Sequence, residues 1–365
     1  MRAWGEPPWR RVAVPARPVA SSSPEVAIVG GGFTGMAAAW HLARRRIGAV
    51  VLEADAIGEG ASGRTGGLVL EGTAWGARED ADRCVPALKQ LVEEAALDCD
   101  LRLPGCWEIA HGDRSSGEML PWRDDNRAVH IVRTVAGGVV EPMKLVTQLA
   151  RAAARAGAVI HEHARVRRIA TGPRLAIELD GAVIEPQFAI MAVNAWTSDL
   201  LPDVRPLQSA ITFACATEPL SEWALAEIGL AAGIPFYTVD TPYLWGRITG
   251  ERRVIFGSGL TYDTAERLER LAIDAAAPAA ALARLEARVR GLHPALRDVR
   301  ISHRWGGPIA IPQGGAPLVG SHPRASRLFV AGGYAGHGVA LGPWMGRLMA
   351  RSIAQAAPLP AWGRL

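Results

Sequence analysis

Cysteine is scarce in this chain. Cys84, Cys99, Cys106 and Cys215 are the four among 365 residues, with no CxxC pair and no zinc-site spacing. That argues against a disulfide framework and a metal centre, and a reducing cytoplasm is the expected setting. No run approaches the roughly 20 apolar residues of a membrane span. The first 24 residues, MRAWGEPPWRRVAVPARPVASSSP, lack the apolar stretch of a secretion signal, so none is expected. Blocks of like charge are absent too: 40 Lys and Arg against 36 Asp and Glu leave +4, and the arginines scatter, as in ARRR (43–46) and RVRR (165–168). A nucleic-acid partner would need longer basic runs, so none is expected. No segment repeats, and the one biased patch is the Ala/Pro run near 275–283. What remains is 49 % hydrophobic residues with 12 Trp, enough for a large core and two domains.

The stretch EVAIVGGGFTGMAAAWHLARR (25–45) runs from a β-branched segment through a glycine cluster into an Ala-rich helix. Gly30, Gly32 and Gly35 stand at the GxGxxG positions: one for the tight turn, one for close approach of backbone to a pyrophosphate, one for packing helix on strand. The helix N-terminus then faces the phosphates with free N–H groups. A second strand, AVVLEAD (49–55), ends in Glu53, 18 positions beyond Gly35, where a carboxylate accepts hydrogen bonds from an adenosine ribose. This unit serves NAD and FAD alike.

The following segment, IGEGASGRTGG (57–67), separates the two. It resembles the GASGRNGG element of the D-amino acid oxidase-like FAD-dependent oxidoreductases, and within them the γ-glutamylputrescine oxidoreductase group. Further similarity follows in order: EPMKLVTQLARAAARAGAVIHE (141–162), VNAWTSDLLP (193–202), ATEPL (216–220), HRWGG (303–307) and RLFVAGGYAGHGVALGP (327–343). Nearly the whole chain is covered. Thr65 replaces the usual Asn, and IPQGGAPLVG (311–320) lacks the Asp often found before that Pro.

The resemblance implies a glutathione-reductase-like α/β fold, in which an FAD-binding Rossmann domain is interrupted by an α+β substrate domain with a mixed or antiparallel sheet. The expected division is an N-terminal extension (1–24), FAD-binding parts at 25–79, 140–200 and 301–365, and substrate-domain parts at 80–139 and 201–300. A long helix, ERLERLAIDAAAPAAALARLEARV, is expected to break at Pro278. FAD contacts are implied for Phe33, Thr34, Ala54, Ala61, Ser62, Gly63, Arg64, Thr65, Gly66 and Gly67, and for Val166, Asn194, Ala195, Trp196 and Gly306. At the flavin end the implied contacts are Gly333, Tyr334, Gly336, His337, Gly338, Val339 and Ala340. A helix beginning near Gly336–Gly338 would bring partial positive charge to flavin N1 and O2. Relatives with covalent flavin attach it through a C-terminal Cys or a His just after the first motif. Here the last Cys is Cys215 and 57–67 holds no His, so FAD is expected to be non-covalent.

Members of the family take hydride from a carbon bearing an amine, leaving an imine that hydrolyses to a carbonyl compound. The expected substrate is a primary or secondary amine, and the electron acceptor O₂ or a quinone. Two carboxylate clamps of relatives are missing. Trp305-Gly306-Gly307-Pro308-Ile309-Ala310 lacks the Arg of a WAGLRP-like element, and Ala340 stands where sarcosine-oxidising relatives carry Lys. Candidates at the substrate are therefore Tyr243 and Arg247, from YLWGRITG, with Trp305 and His337. A D-amino acid or glycine/sarcosine-type oxidase or dehydrogenase is the alternative within the enzyme class. A flavin-bound scaffold or electron carrier is the alternative outside it, and absence of substrate turnover would favour that one.

Overall fold

The computed structural model of the protein describes residues 3–112 and 117–365. The first unit is β1 (Val26–Val29), α1 (Phe33–Ala43) and β2 (Ala49–Leu52), followed by β3 (Leu68–Leu70), α2 (Cys84–Glu94), β4 (Cys106–His111), β5 (Met119–Asp124), β6 (Arg127–Val135) and β7 (Gly137–Val139). Next come α3 (Pro142–Arg155), β8 (Val159–His161), the meander β9 (Val166–Thr171), β10 (Leu175–Leu179) and β11 (Ala182–Ile184), then β12 (Phe188–Met191), α4 (Thr197–Leu200) and β13 (Leu207–Thr217). The chain continues through α5 (Glu222–Glu227), β14 (Phe236–Thr238), β15 (Trp245–Ile248), β16 (Val254–Tyr262), α6 (Ala265–Arg270), α7 (Ala276–Leu292) and β17 (Ile301–Pro312). It closes with β18 (Leu318–His322), β19 (Ala325–Gly332) and α8 (Gly338–Gln355).

Six strands form the first sheet in the order β18-β19-β12-β1-β2-β8, parallel except for the β18-β19 pair. Its central strand, VAIV, is apolar at every position because both faces are covered. Val26 and Ile28 join the core with α1, α3 and α8, whereas Ala27 and Val29 join the core with the meander. Every residue of α1 is buried, as expected of a helix that is apolar all round. β1 pairs with β2 on one side and β12 on the other, so its carboxyl end opens at a switch point of the sheet, where such sheets bind ligands.

The second sheet has eight strands, β17-β13-β16-β15-β14-β4-β6-β5, antiparallel except for β14-β4. α7 packs on its outer face. Two sequence expectations change here. β17 pairs with β13 from Ile301 to Pro312, so the segment expected to return to the nucleotide domain at 301 belongs to the larger sheet until 312. The expected helix break lies at 271–275, between α6 and α7, and not at Pro278. Pro278 sits in the first turn of α7, where a missing N–H removes no helical bond.

The N-terminal extension straps the two sheets together. Gly5 bridges Trp305, and Gly306 N–H donates to the Trp4 carbonyl at 2.7 Å, at the edge of the large sheet. Arg17 N–H reaches the Ile160 carbonyl beside β8, and Ser22 bridges Ile184 in the meander.

Candidate active site

A chamber of about 850 Å³ lies between the carboxyl ends of the six-stranded sheet and the inner face of the eight-stranded one. That is the size of a cofactor or ligand cleft. Two long helices begin at its wall. Gly32, the N-cap of α1, and His337, the N-cap of α8, give neither helix a side-chain cap. First-turn N–H groups at both ends are thus offered to the chamber, with the positive ends of two helix dipoles.

The first glycine turn is shaped by close approaches. A Cβ on Gly35 would come within 1.9 Å of the Gly30 carbonyl, which fixes α1 tight against β1. A Cβ on Gly32 would lie 2.8 Å from Ser62 Oγ, too close for a side chain unless Ser62 shifts. Ser62 Oγ accepts from Phe33 N–H at 2.9 Å. Glu53 accepts from Gly31 N–H at 2.7 Å and Asp55 N–H at 3.0 Å, so its carboxylate is held at the end of β2, outside the chamber itself.

At the opposite end, Asn194 Oδ1 accepts from Gly333 N–H at 3.0 Å, and Thr34 Oγ1 bonds the Tyr334 hydroxyl at 2.8 Å, joining the first turn of α1 to the loop before α8. His337 N–H donates to the Tyr334 carbonyl, while its ring Nδ1 is buried with no hydrogen-bond partner among the described residues. Burial lowers the ring's pKa to about 4, so the imidazole is neutral at pH 7. A neutral ring with one buried nitrogen unsatisfied, two helix N-termini without a cap from their own N-cap residues and a glycine turn between strand and helix together suit a dinucleotide flavin.

The structure brings Gly32, Phe33, Thr34, Ala61, Ser62, Arg64, Thr65, Gly66 and Asn194 to the chamber wall, with Tyr243, Trp305, Tyr334 and the loop from Gly336 to Val339. Gly30, Gly35, Ala54, Gly63, Gly67, Val166, Ala195, Trp196, Gly333 and Ala340 are not among the residues of that wall. Gly306 turns away, donating to Trp4, and Gly307 takes its place at the wall. Trp305 is 1 % exposed and donates to the Arg64 carbonyl at 2.8 Å, so it holds the GASGRTGG turn. The Tyr243 hydroxyl bonds Thr212 Oγ1 at 2.9 Å and the Gly259 carbonyl at 3.0 Å, and burial raises its pKa to about 12. Arg247 does not reach the chamber: it is 4 % exposed, and its Nε donates to the Gly66 carbonyl behind the turn.

Sequence reasoning named only Trp305 from one row of side chains and missed the rest. Across the large sheet, Trp305, Ala214, Gly257, Trp245, Tyr237, Glu108 and Arg133 are register partners, each opposite the next. Register partners share a face. All but Gly257 line the chamber, and Gly257 leaves room for the Trp245 ring, as does Gly66 opposite. The other members left no trace in the sequence, since the row joins strands far apart along the chain. Among the described residues no group of three His, Cys, Asp or Glu could hold a metal ion, and no helix is long and apolar enough to cross a membrane.

The chain belongs to the DAO family of FAD-dependent oxidoreductases, which residues 25–352 match. It is similar to a probable oxidoreductase OrdL of Rhizobium meliloti, at 29 % identity over 94 % of this chain and 87 % of that protein. It is also similar to the gamma-glutamylputrescine oxidoreductase of Escherichia coli, at 25 % identity over 90 % and 83 %. Glycine oxidase of Geobacillus kaustophilus has the same fold, with a TM-score of 0.75 at 21 % identity, over 94 % of this chain and 99 % of that one.

Proposed function

We propose that this protein oxidises a primary or secondary amine, with FAD held non-covalently and O₂ or a quinone as final acceptor. When bound, FAD supplies the redox chemistry, taking hydride from the amine-bearing carbon to leave an imine that water hydrolyses to a carbonyl product. The observation that carries the reading is the pairing of a wall built for flavin with a facing wall of Trp245, Trp305 and Tyr243. Gly32, Ser62 and the first turn of α1 would hold the pyrophosphate, and Glu53 the ribose. His337 and the first turn of α8 would face the flavin ring. The aromatic wall excludes water and favours the neutral amine, the form with a free electron pair on nitrogen. Burial keeps the Tyr243 phenol protonated and the His337 imidazole neutral at pH 7, so neither brings a charge to the amine. The gamma-glutamylputrescine oxidoreductase relative, and the missing small-carboxylate clamps, both favour an amine whose reacting carbon bears no carboxylate.

The test is anaerobic flavin bleaching. ω-Amino and N-substituted amines are expected to reduce the flavin faster than glycine, sarcosine or D-alanine. Faster bleaching by the three small amino acids would move the assignment to an amino acid oxidase. Acid precipitation should release the yellow colour into the supernatant, and colour kept in the pellet would overturn non-covalent attachment.

A further inference from the structure

The row across the large sheet changes character along its length. From Trp305 through Ala214, Gly257 and Trp245 it is aromatic or small, and from Tyr237 through Glu108 to Arg133 it is polar and then charged. We propose that Arg133, braced by Glu108 and Tyr237, is a binding site for the terminal carboxylate of a long-chain amine whose nitrogen lies at the aromatic end. The inference rests on the amine reading above and names its substrate class.

Three observations carry it. First, the guanidinium is held on one edge only. Arg133 Nε donates to Glu108 Oε2 at 2.5 Å and Nη2 to Oε1 at 3.1 Å, and the Tyr237 hydroxyl donates to the same Oε1 at 2.6 Å. The outer edge at Nη1 has no partner among the described residues, and the side chain is 66 % exposed at the chamber mouth. A guanidinium fixed by one carboxylate can take a second on its free edge, with two parallel N–H bonds. Second, the other arginine at the wall is engaged: Arg64 donates to the Gly5 and Glu59 carbonyls and faces the Glu59 carboxylate at 3.6 Å. Third, Arg133 stands three strands from Trp245, about 14 Å at the usual spacing of neighbouring strands. An α-amino acid cannot span that, because its carboxylate is bonded to the reacting carbon. A long amine with an acid at its far end can.

The carboxylates of Glu71 and Asp82 also line the chamber and would favour a second ammonium instead. The experiment therefore compares n-alkylamines, ω-aminocarboxylates and α,ω-diamines of matched length, reading KM and kcat from flavin reduction. The long ω-aminocarboxylates are expected to have the lowest KM. Arg133→Ala is expected to raise that KM about 10- to 100-fold, leaving kcat and the alkylamine KM unchanged. Arg133→Lys, which keeps the charge without the fork, should recover part of it. A binding readout is independent of turnover: a long-chain alkanoate should quench tryptophan fluorescence in the parent protein and fail to do so in Arg133→Ala. Preference for diamines, or equal KM changes for charged and uncharged tails, would overturn this site and leave the amine reading intact. Reduction by none of the three series would overturn the amine reading, and the inference with it.

Discussion

Arg247 carries its charge into a place that water scarcely reaches. Burial pulls its pKa down to about 10, and the Glu141 carboxylate works in the opposite direction. Its guanidinium lies 5.8 Å from the Trp9 ring centre, and its Nε holds the Gly66 carbonyl. Strand alternation in YLWGRITG offers Tyr243 and Arg247 together, but the strand begins at Trp245, which is the residue that shares a face with Arg247. What alternation cannot tell is that the Gly66-Gly67 turn, 180 residues earlier, covers the Arg247 half of that face. Arg247→Met leaves the buried Gly66 carbonyl without its donor, and a loss of about 1–3 kcal/mol in unfolding free energy is expected. Urea denaturation of the apoprotein checks it. The KM of any amine that bleaches the flavin should stay unchanged, and a raised KM at full stability would return Arg247 to the substrate.

The elements that face the flavin site depend on how closely α8 lies against α1. A Cβ on Gly346 would come within 2.3 Å of the Thr34 carbonyl oxygen and 2.9 Å of the Ala38 nitrogen, so α8 crosses α1 where only glycine fits. Gly346→Ala should lever the first turn of α8 away from the chamber, destabilising the protein by about 1–3 kcal/mol and loosening FAD. Gly291 in α7 meets nothing within 4 Å, so Gly291→Ala is the control and should stabilise by up to about 1 kcal/mol. Flavin loss on gel filtration, with thermal melting of both variants, separates the two; equal behaviour would show that the α1–α8 contact yields easily. These glycine turns were legible in the sequence because strand, turn and helix are contiguous there. So were Ser62 and His337, which sit inside the motifs. Glu108, Arg133 and Tyr237 were not, because each is an ordinary strand residue until register sets 108, 133, 237 and 245 side by side.

At the scale of the whole molecule, burial holds the imidazoles of His41 and His337 far below their usual pKa, and each ties stability to pH. His41 is 7 % exposed, and its pKa falls to about 3, first through burial and then through Arg347, Arg45 and Arg44. His337 falls to about 4 through burial. In the unfolded chain both titrate near 6.5. At pH 5 the unfolded chain therefore binds protons at these two sites that the folded chain refuses, and stability must rise with pH over that interval. The contribution is fully present above about pH 6.5 and is lost as pH falls towards 4 and then 3, at about 1.4 kcal/mol per pH unit for each histidine. His41 lies in α1, remote from the chamber, so it reports on folding alone. His41→Gln should flatten the fall in urea midpoint between pH 6 and 4.5, and stability at pH 7.5 should change less than stability at pH 4.5. His337 adds a second link, since a flavin bonded to its neutral ring would be released as the ring is protonated. FAD in fixed excess raises the unfolding free energy by mass action at pH 7.5, and this increment is expected to shrink on acidification in the parent and in His41→Gln alike. An unchanged slope in His41→Gln would mean that this ring takes up its proton without the fold opening.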